Sequence, residues 1–289
     1  MVHGFGGSAD QWARCFESEL RATHRLFAID LLGFGHSAKP PLTYSQYTWS
    51  DCVRDFGLQI VKTPFFVAGN SIGGYTSMGT AADTPGLCQG IVLLNSAGRL
   101  LTPADLIAEK KKFGGVTVEE ATLTQKLAPY SAPPNAVLSA ISTVIFAGLQ
   151  GRIRQTCKSL YPVRPERVDG GLADNILRDS KDPGALGIFN AGAKLPYSRS
   201  ANEMLAKFGG PVLVAQGLLD PLNDAKARVK QFQEAYEAVE VVPIQGGHCP
   251  QDEMAEEVCA AIAAFTRKHT QGSQSESAST KQEVVMSNP

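Results

Sequence analysis

The stretch Phe65-Phe66-Val67-Ala68-Gly69-Asn70-Ser71-Ile72-Gly73-Gly74 carries the most information in the chain. It begins as a short apolar run, which reads as a buried strand. It passes through a G-x-S-x-G pattern and continues into a sequence with helical character. A serine at so sharp a strand-to-helix turn takes a strained backbone, and the glycines two residues to either side must be small for the turn to close. Its Oγ then stands above the sheet at the positive end of the following helix. Ser71 is therefore the candidate nucleophile. By itself the pattern is also compatible with a glycine-rich turn holding an incidental serine.

Working outward, four more runs resemble this one: Leu26 to Leu31, Gly90 to Asn95, Pro211 to Ala215 and Val239 to Ile244. Each is short, apolar and closed by Gly, Asn or Asp, as buried parallel strands are. Apolar positions recur at helical spacing over Trp49–Val61, Ala225–Ala238 and Glu253–Lys268. Strand and helix in alternation predict an α/β fold, a mostly parallel sheet with helices on both faces. The core is expected over residues 1–98 and 209–269. No such strand appears over residues 99–208, which read as a helical insertion forming a cap. Residues 270–289 are Ser-, Gln- and Glu-rich and are expected to be a disordered tail. His3-Gly4-Phe5-Gly6-Gly7 has the character of a loop after a buried strand, yet only Met1 and Val2 precede it, so the first strands are expected to be missing.

A serine hydroxyl needs a base within hydrogen-bonding reach and an acid to fix that base's tautomer. The sequence offers both at strand ends. Asp220 follows the fourth run in Gly217-Leu218-Leu219-Asp220-Pro221, and His248 follows the fifth in Gly246-Gly247-His248-Cys249-Pro250. The chain order Ser71, Asp220, His248 is the one expected for parallel strands ending in a G-x-S-x-G turn. Asp224 is the rival acid but reads as a helix cap. Backbone N–H groups of Ile72 and Phe5 are the expected oxyanion donors, with His3 shaping the loop. His36 is read as structural, His24 and His269 as solvated, and Cys249 as a packed thiol. Trp12, Phe16 and Leu20 form a core stripe. The apolar run Ala136 to Leu149 either lines a greasy pocket or packs as a buried cap helix.

Composition narrows the function classes. The 289 residues carry 27 basic and 28 acidic side chains, a net charge of −1, which gives no reason to expect nucleic acid or an anionic membrane as partner. Six scattered cysteines fit neither a zinc site nor a disulfide framework and point to an intracellular compartment. No signal peptide or transmembrane segment is visible. Neither metal nor organic cofactor is expected.

Taken together, HGFGG, DLLGFGHS (Asp30 to Ser37), GNSIGG, GLLDP and GGHCPQDE resemble the ordered signature of the α/β-hydrolase superfamily from residue 1 to about 268. That resemblance implies a cap that shapes the substrate pocket. More narrowly, GNSIGGYTSM, IVLLNSAG and GHCPQDE look like plastid α/β-hydrolases of the pheophytinase and chlorophyll dephytylase group. These imply a chloroplast setting and a hydrophobic carboxylic ester, such as a phytyl-type ester, as substrate. GNSIGG is also similar to the meta-cleavage-product hydrolases, which break carbon–carbon bonds with the same residues. A serine at position 71 disfavours the superfamily members that use an aspartate nucleophile. Two alternatives to an esterase stay open: a carbon–carbon bond hydrolase, and a receptor or scaffold that keeps the pocket to sense a ligand.

Overall fold

A computed structural model describes residues 1–42, 44–102, 104, 105, 107, 135–169, 171–192 and 199–285, without side-chain detail for 135–139, 191, 192 and 271–285. Four strands form the sheet: β1 (Phe65–Asn70), β2 (Cys88–Leu94), β3 (Val212–Gly217) and β4 (Val239–Ile244), adjacent in that order and all parallel. Their apolar side chains divide between two clusters, one on each face. Val67, Ile91, Leu93 and Val214 pack on one side, and Ala68, Val92, Leu94 and Leu213 on the other. The even–odd alternation of a strand, with both faces covered, produces this division.

Against the first cluster lie helices Gln46–Phe56, Ile72–Asp83 and Ala201–Phe208. The last of these falls within the stretch expected to be cap. It instead buries Ala201, Met204, Leu205 and Phe208 in the core. Helix Ala255–Val285 covers the other face together with Trp12 and Leu20, while Phe16 packs at its margin. Its backbone continues helically through most of the stretch expected as a disordered tail. Between Gly272 and Pro289 the sequence contains no glycine or proline that would stop it. Residues 286–289 lie outside the described residues.

One expected strand is not formed. Leu26 to Leu31 makes only a single bridge, between Ile29 and Val2, and Val2 bridges Gly69 on its other side. Met1 and Val2 occupy the lane between this run and β1. Val2 N–H donates to Ala68 O at 2.8 Å, Ile29 N–H donates to Met1 O at 3.2 Å, and the Met1 ammonium donates to Phe27 O at 2.8 Å.

The turn around Ser71 is where backbones crowd most. A Cβ at Gly69 would overlap the Gly73 carbonyl, and one at Gly73 would overlap the carbonyls of Val2 and His3. Backbone cannot move aside as a side-chain tip can. Gly69→Ala is expected to cost at least about 2 kcal/mol and to lower the melting temperature by roughly 5 °C or more. Unchanged thermal unfolding would contradict this packing.

Candidate active site

Loops that follow parallel strands emerge on one edge of the sheet. Ser71 follows β1, Asn95 follows β2, Asp220 follows β3, and His248 follows β4. Ser71 stands at φ 54° and ψ −120°, immediately before helix Ile72–Asp83. For a residue with a Cβ this region costs about 1–3 kcal/mol, so the surroundings must hold it. They do so through four backbone bonds. Ser71 N–H donates to Leu94 O at 3.1 Å, and Ser71 O accepts from the N–H groups of Gly74, Tyr75 and Ala97.

The histidine and the acid meet directly. His248 Nδ1 lies 3.0 and 3.1 Å from the two Asp220 oxygens, and both residues are buried. This leaves Nε2 as the ring nitrogen available to Ser71. Ser71 and His248 line one cavity of about 340 Å3, although no hydrogen bond joins Ser71 Oγ to the ring. Such contacts often tighten only when substrate is bound. Burial would raise the Asp220 carboxyl, but hydrogen bonds from His248, Asn95 and the Leu222 N–H outweigh it and hold the group below its ordinary value. Asp224, the rival acid, accepts from Ala227 N–H at 3.0 Å and caps helix Ala225–Ala235.

Among the described residues, neither the Phe5 N–H nor the Ile72 N–H is engaged in a hydrogen bond. Both flank Ser71: Gly4 packs against Ser71 Cβ, and Ile72 follows it in sequence. His3 shapes this loop from within. Leu31 N–H donates to His3 Nε2 at 3.0 Å, which makes Nε2 an acceptor and leaves Nδ1–H to donate to Gly4 O at 2.7 Å. The ring is therefore neutral, and burial pushes its pKa down.

Three residues to which the sequence analysis gives no role in the site hold the loops together. Asn95 donates to Asp220 Oδ2 at 2.9 Å while its Oδ1 accepts from Gly217 N–H at 2.8 Å. Its φ of 43° is one that asparagine tolerates better than most residues. An asparagine closing an apolar strand was the available signal. Asn70 donates to Leu94 O at 3.0 Å and His248 O at 2.8 Å, joining the Ser71 turn to the histidine loop. Glu253 is fully buried and accepts from Gly247, Val163 and Arg164 N–H groups, so it fastens the insertion to the histidine loop. His248 N–H donates to Leu160 O at 3.0 Å alongside it.

The remaining candidates fall elsewhere. His36 is exposed, with its N–H donating to Asp30 Oδ2. His24 and His269, expected to be solvated, instead have partners: His24 pairs at 2.7 Å with Thr266 of helix Ala255–Val285, and His269, on that same helix, pairs at 2.6 Å with Glu240 of β4. Burial pushes the Cys249 thiol up, in keeping with a packed residue. Helix Asn135–Gln150 is not the buried alternative: Ile141, Val144 and Ile145 are exposed, while Leu149 lines the cavity. Residues 108–134 and 193–198 of the expected insertion lie outside the described residues. Among the described residues, no group of three His, Cys, Asp or Glu side chains could hold a metal ion, and no helix is long and apolar enough to cross a membrane.

A fold of this kind with these loops on one sheet edge has a family. The chain belongs to the α/β-hydrolase fold family, whose model matches residues 1–255. Among curated proteins, it is 33% identical over 106 residues to 2-hydroxy-6-oxo-6-(2'-aminophenyl)hexa-2,4-dienoic acid hydrolase of Metapseudomonas resinovorans, covering 34% of this chain and 35% of that one. It is 39% identical over 67 residues to chloroplastic pheophytinase of Arabidopsis thaliana, covering 22% and 14%. The matches thus span about a third or less of these relatives' lengths. Among solved structures, a thermophilic esterase from Thermogutta terrifontis superposes with a TM-score of 0.69 over 93% of this chain and 88% of that one. At 20% identity that likeness concerns the fold.

The neutral, buried His3 has a consequence for stability. With its pKa lowered by folding, its contribution is fully present above the unfolded-state value of about 6.5 and is lost as pH falls below it, because the unfolded chain takes up the proton first. The melting temperature of the wild type should fall more steeply between pH 7 and pH 5 than that of His3→Gln. Parallel curves would show that His3 does not carry the effect.

Proposed function

We propose that the protein is a serine hydrolase that cleaves a hydrophobic carboxylic ester. The observation that carries this reading is the Asp220–His248 pair at 3.0 Å, facing the same apolar cavity as a serine held at φ 54°. Ser71 Oγ attacks the ester carbonyl while His248 Nε2 takes its proton. Asp220 fixes the ring's tautomer and stabilises the imidazolium. The unengaged N–H groups of Phe5 and Ile72 receive the charge that develops on the carbonyl oxygen. His248 then returns the proton to the leaving alcohol, and water repeats the sequence to release the acid.

The choice between an ester and a carbon–carbon bond turns on charge. The dienoic acid named for the Metapseudomonas relative carries a carboxylate, which a buried site must pair. Among the described residues, no lysine or arginine lines the Ser71 cavity. That favours a neutral ester. The resemblance to chloroplastic pheophytinase supports a plastid setting as part of the same proposal. A ligand sensor would not need the strained serine.

The test is kcat/KM on p-nitrophenyl esters and on a dienoic keto acid. Ester hydrolysis should exceed keto acid cleavage, and Ser71→Ala and His248→Ala should each lose at least about 10^4-fold. Ester turnover that survives Ser71→Ala would defeat the assignment.

A further inference from the structure

The Ser71 cavity does not end at the insertion. A second cavity of about 160 Å3 adjoins it, and Phe5, Gly6, Leu149, Ile153 and Ile176 line both. Ligand pockets generally run from about 300 Å3 upward, so the smaller cavity is an annex of the larger one rather than a separate binding site. Phe34, Phe146, Ala185, Ile188 and Phe189 form its far wall. Phe5 meets Phe34 edge-on at 5.3 Å between centroids and lies 6.5 Å from Phe189, and Phe146 lies 5.3 Å from Phe189.

The polar side chains on the annex wall already have partners. Lys39 Nζ donates to Gly35 O and Asp182, each at 2.7 Å. Asp179 accepts from Arg178 Nε at 2.8 Å. Gln150 Nε2 donates to Ser180 O at 2.9 Å. Nothing in the annex calls for a polar ligand. Phe5 provides the complementary observation. Phe5 is 47% exposed at the junction of the two cavities, between a His3 that is fully buried and a Gly7 that is also buried. An aromatic ring left open to the cavity there has apolar surface for a ligand to cover.

Resting on the esterase reading above, we infer that the annex binds the distal part of a long acyl chain. The position of His248 decides which half of the ester enters. The leaving alcohol must lie at the group that protonates it. His248, Cys249 and Leu222 line the first cavity and not the annex. The alcohol therefore occupies the His248 side, and the acyl chain runs past Phe5 and Ile176 into the annex. Phe5 then serves twice, its backbone at the carbonyl oxygen and its ring against the chain.

The experiment compares kcat/KM for p-nitrophenyl acetate, octanoate, dodecanoate and hexadecanoate below their aggregation limits. Each methylene moved from water into the annex is worth roughly fourfold, until the chamber is full. The dodecanoate-to-acetate ratio should be well above tenfold in the wild type. Ala185→Phe, which fills the annex, should cut that ratio at least tenfold. Phe189→Ala, which enlarges it, should move the optimum toward the hexadecanoate. Thermal unfolding of both variants checks that they fold, and the two opposite shifts keep the test decisive if one does not. A ratio that is flat with chain length, or indifferent to both variants, overturns the inference while leaving the esterase reading intact. Ester hydrolysis that persists in Ser71→Ala overturns both.

Discussion

Close approach of backbone to backbone at Gly69 and Gly73 is the constraint on which the site depends. The Gly73 position admits no Cβ because the carbonyls of Val2 and His3 lie against it, and Gly69 admits none because Gly73 does. One contact thus fixes two things. It holds the turn that keeps Ser71 at φ 54°, and it presses the His3–Gly7 loop against the same turn. The proposed nucleophile and the proposed oxyanion donors are positioned by shared packing, so neither moves without the other. This is the preorganisation that stabilisation of a developing oxyanion requires, since donors that must reorient lose most of their effect.

Buried polar groups carry the arrangement across the rest of the sheet edge. Asn70 ties the β1 loop to the β4 loop, and Asn95 ties the β2 loop to Asp220 and β3. Glu253 ties the β4 loop to the insertion. Each is nearly inaccessible to solvent, so an unmade bond there would be costly. The four loops behave as one connected unit for that reason, and the insertion is anchored at His248 itself through Leu160. Changes in the insertion therefore act on His248 as well as on the pocket.

Much of this was legible in the sequence. The β1–turn–helix unit, β2, β3, β4 and the order Ser71, Asp220, His248 follow from apolar runs closed by small or polar residues. Leu26 to Leu31 misled because periodicity reports a residue's fitness for a strand and not whether a partner lies beside it. The one bridge of that run, from Ile29, goes to Val2. An asparagine closing an apolar strand marks the position of Asn95, but the contacts of Asn70, Asn95 and Glu253 are illegible for a related reason. Their partners include backbone and carboxylate groups as far as 178 residues away in sequence, and no local pattern encodes those meetings. Helix Ala201–Phe208 was assigned to the insertion because its apolar spacing does not say which surface it covers.

The central claim is that Ser71 is activated by His248. Labelling with a fluorophosphonate, followed by mapping of the modified peptide, tests it most directly, since the reagent reacts rapidly only with an activated serine. The account predicts modification of the tryptic peptide that contains Ser71, slowed by orders of magnitude in His248→Ala. Labelling at another residue, or labelling of Ser71 at the same rate without His248, would contradict it.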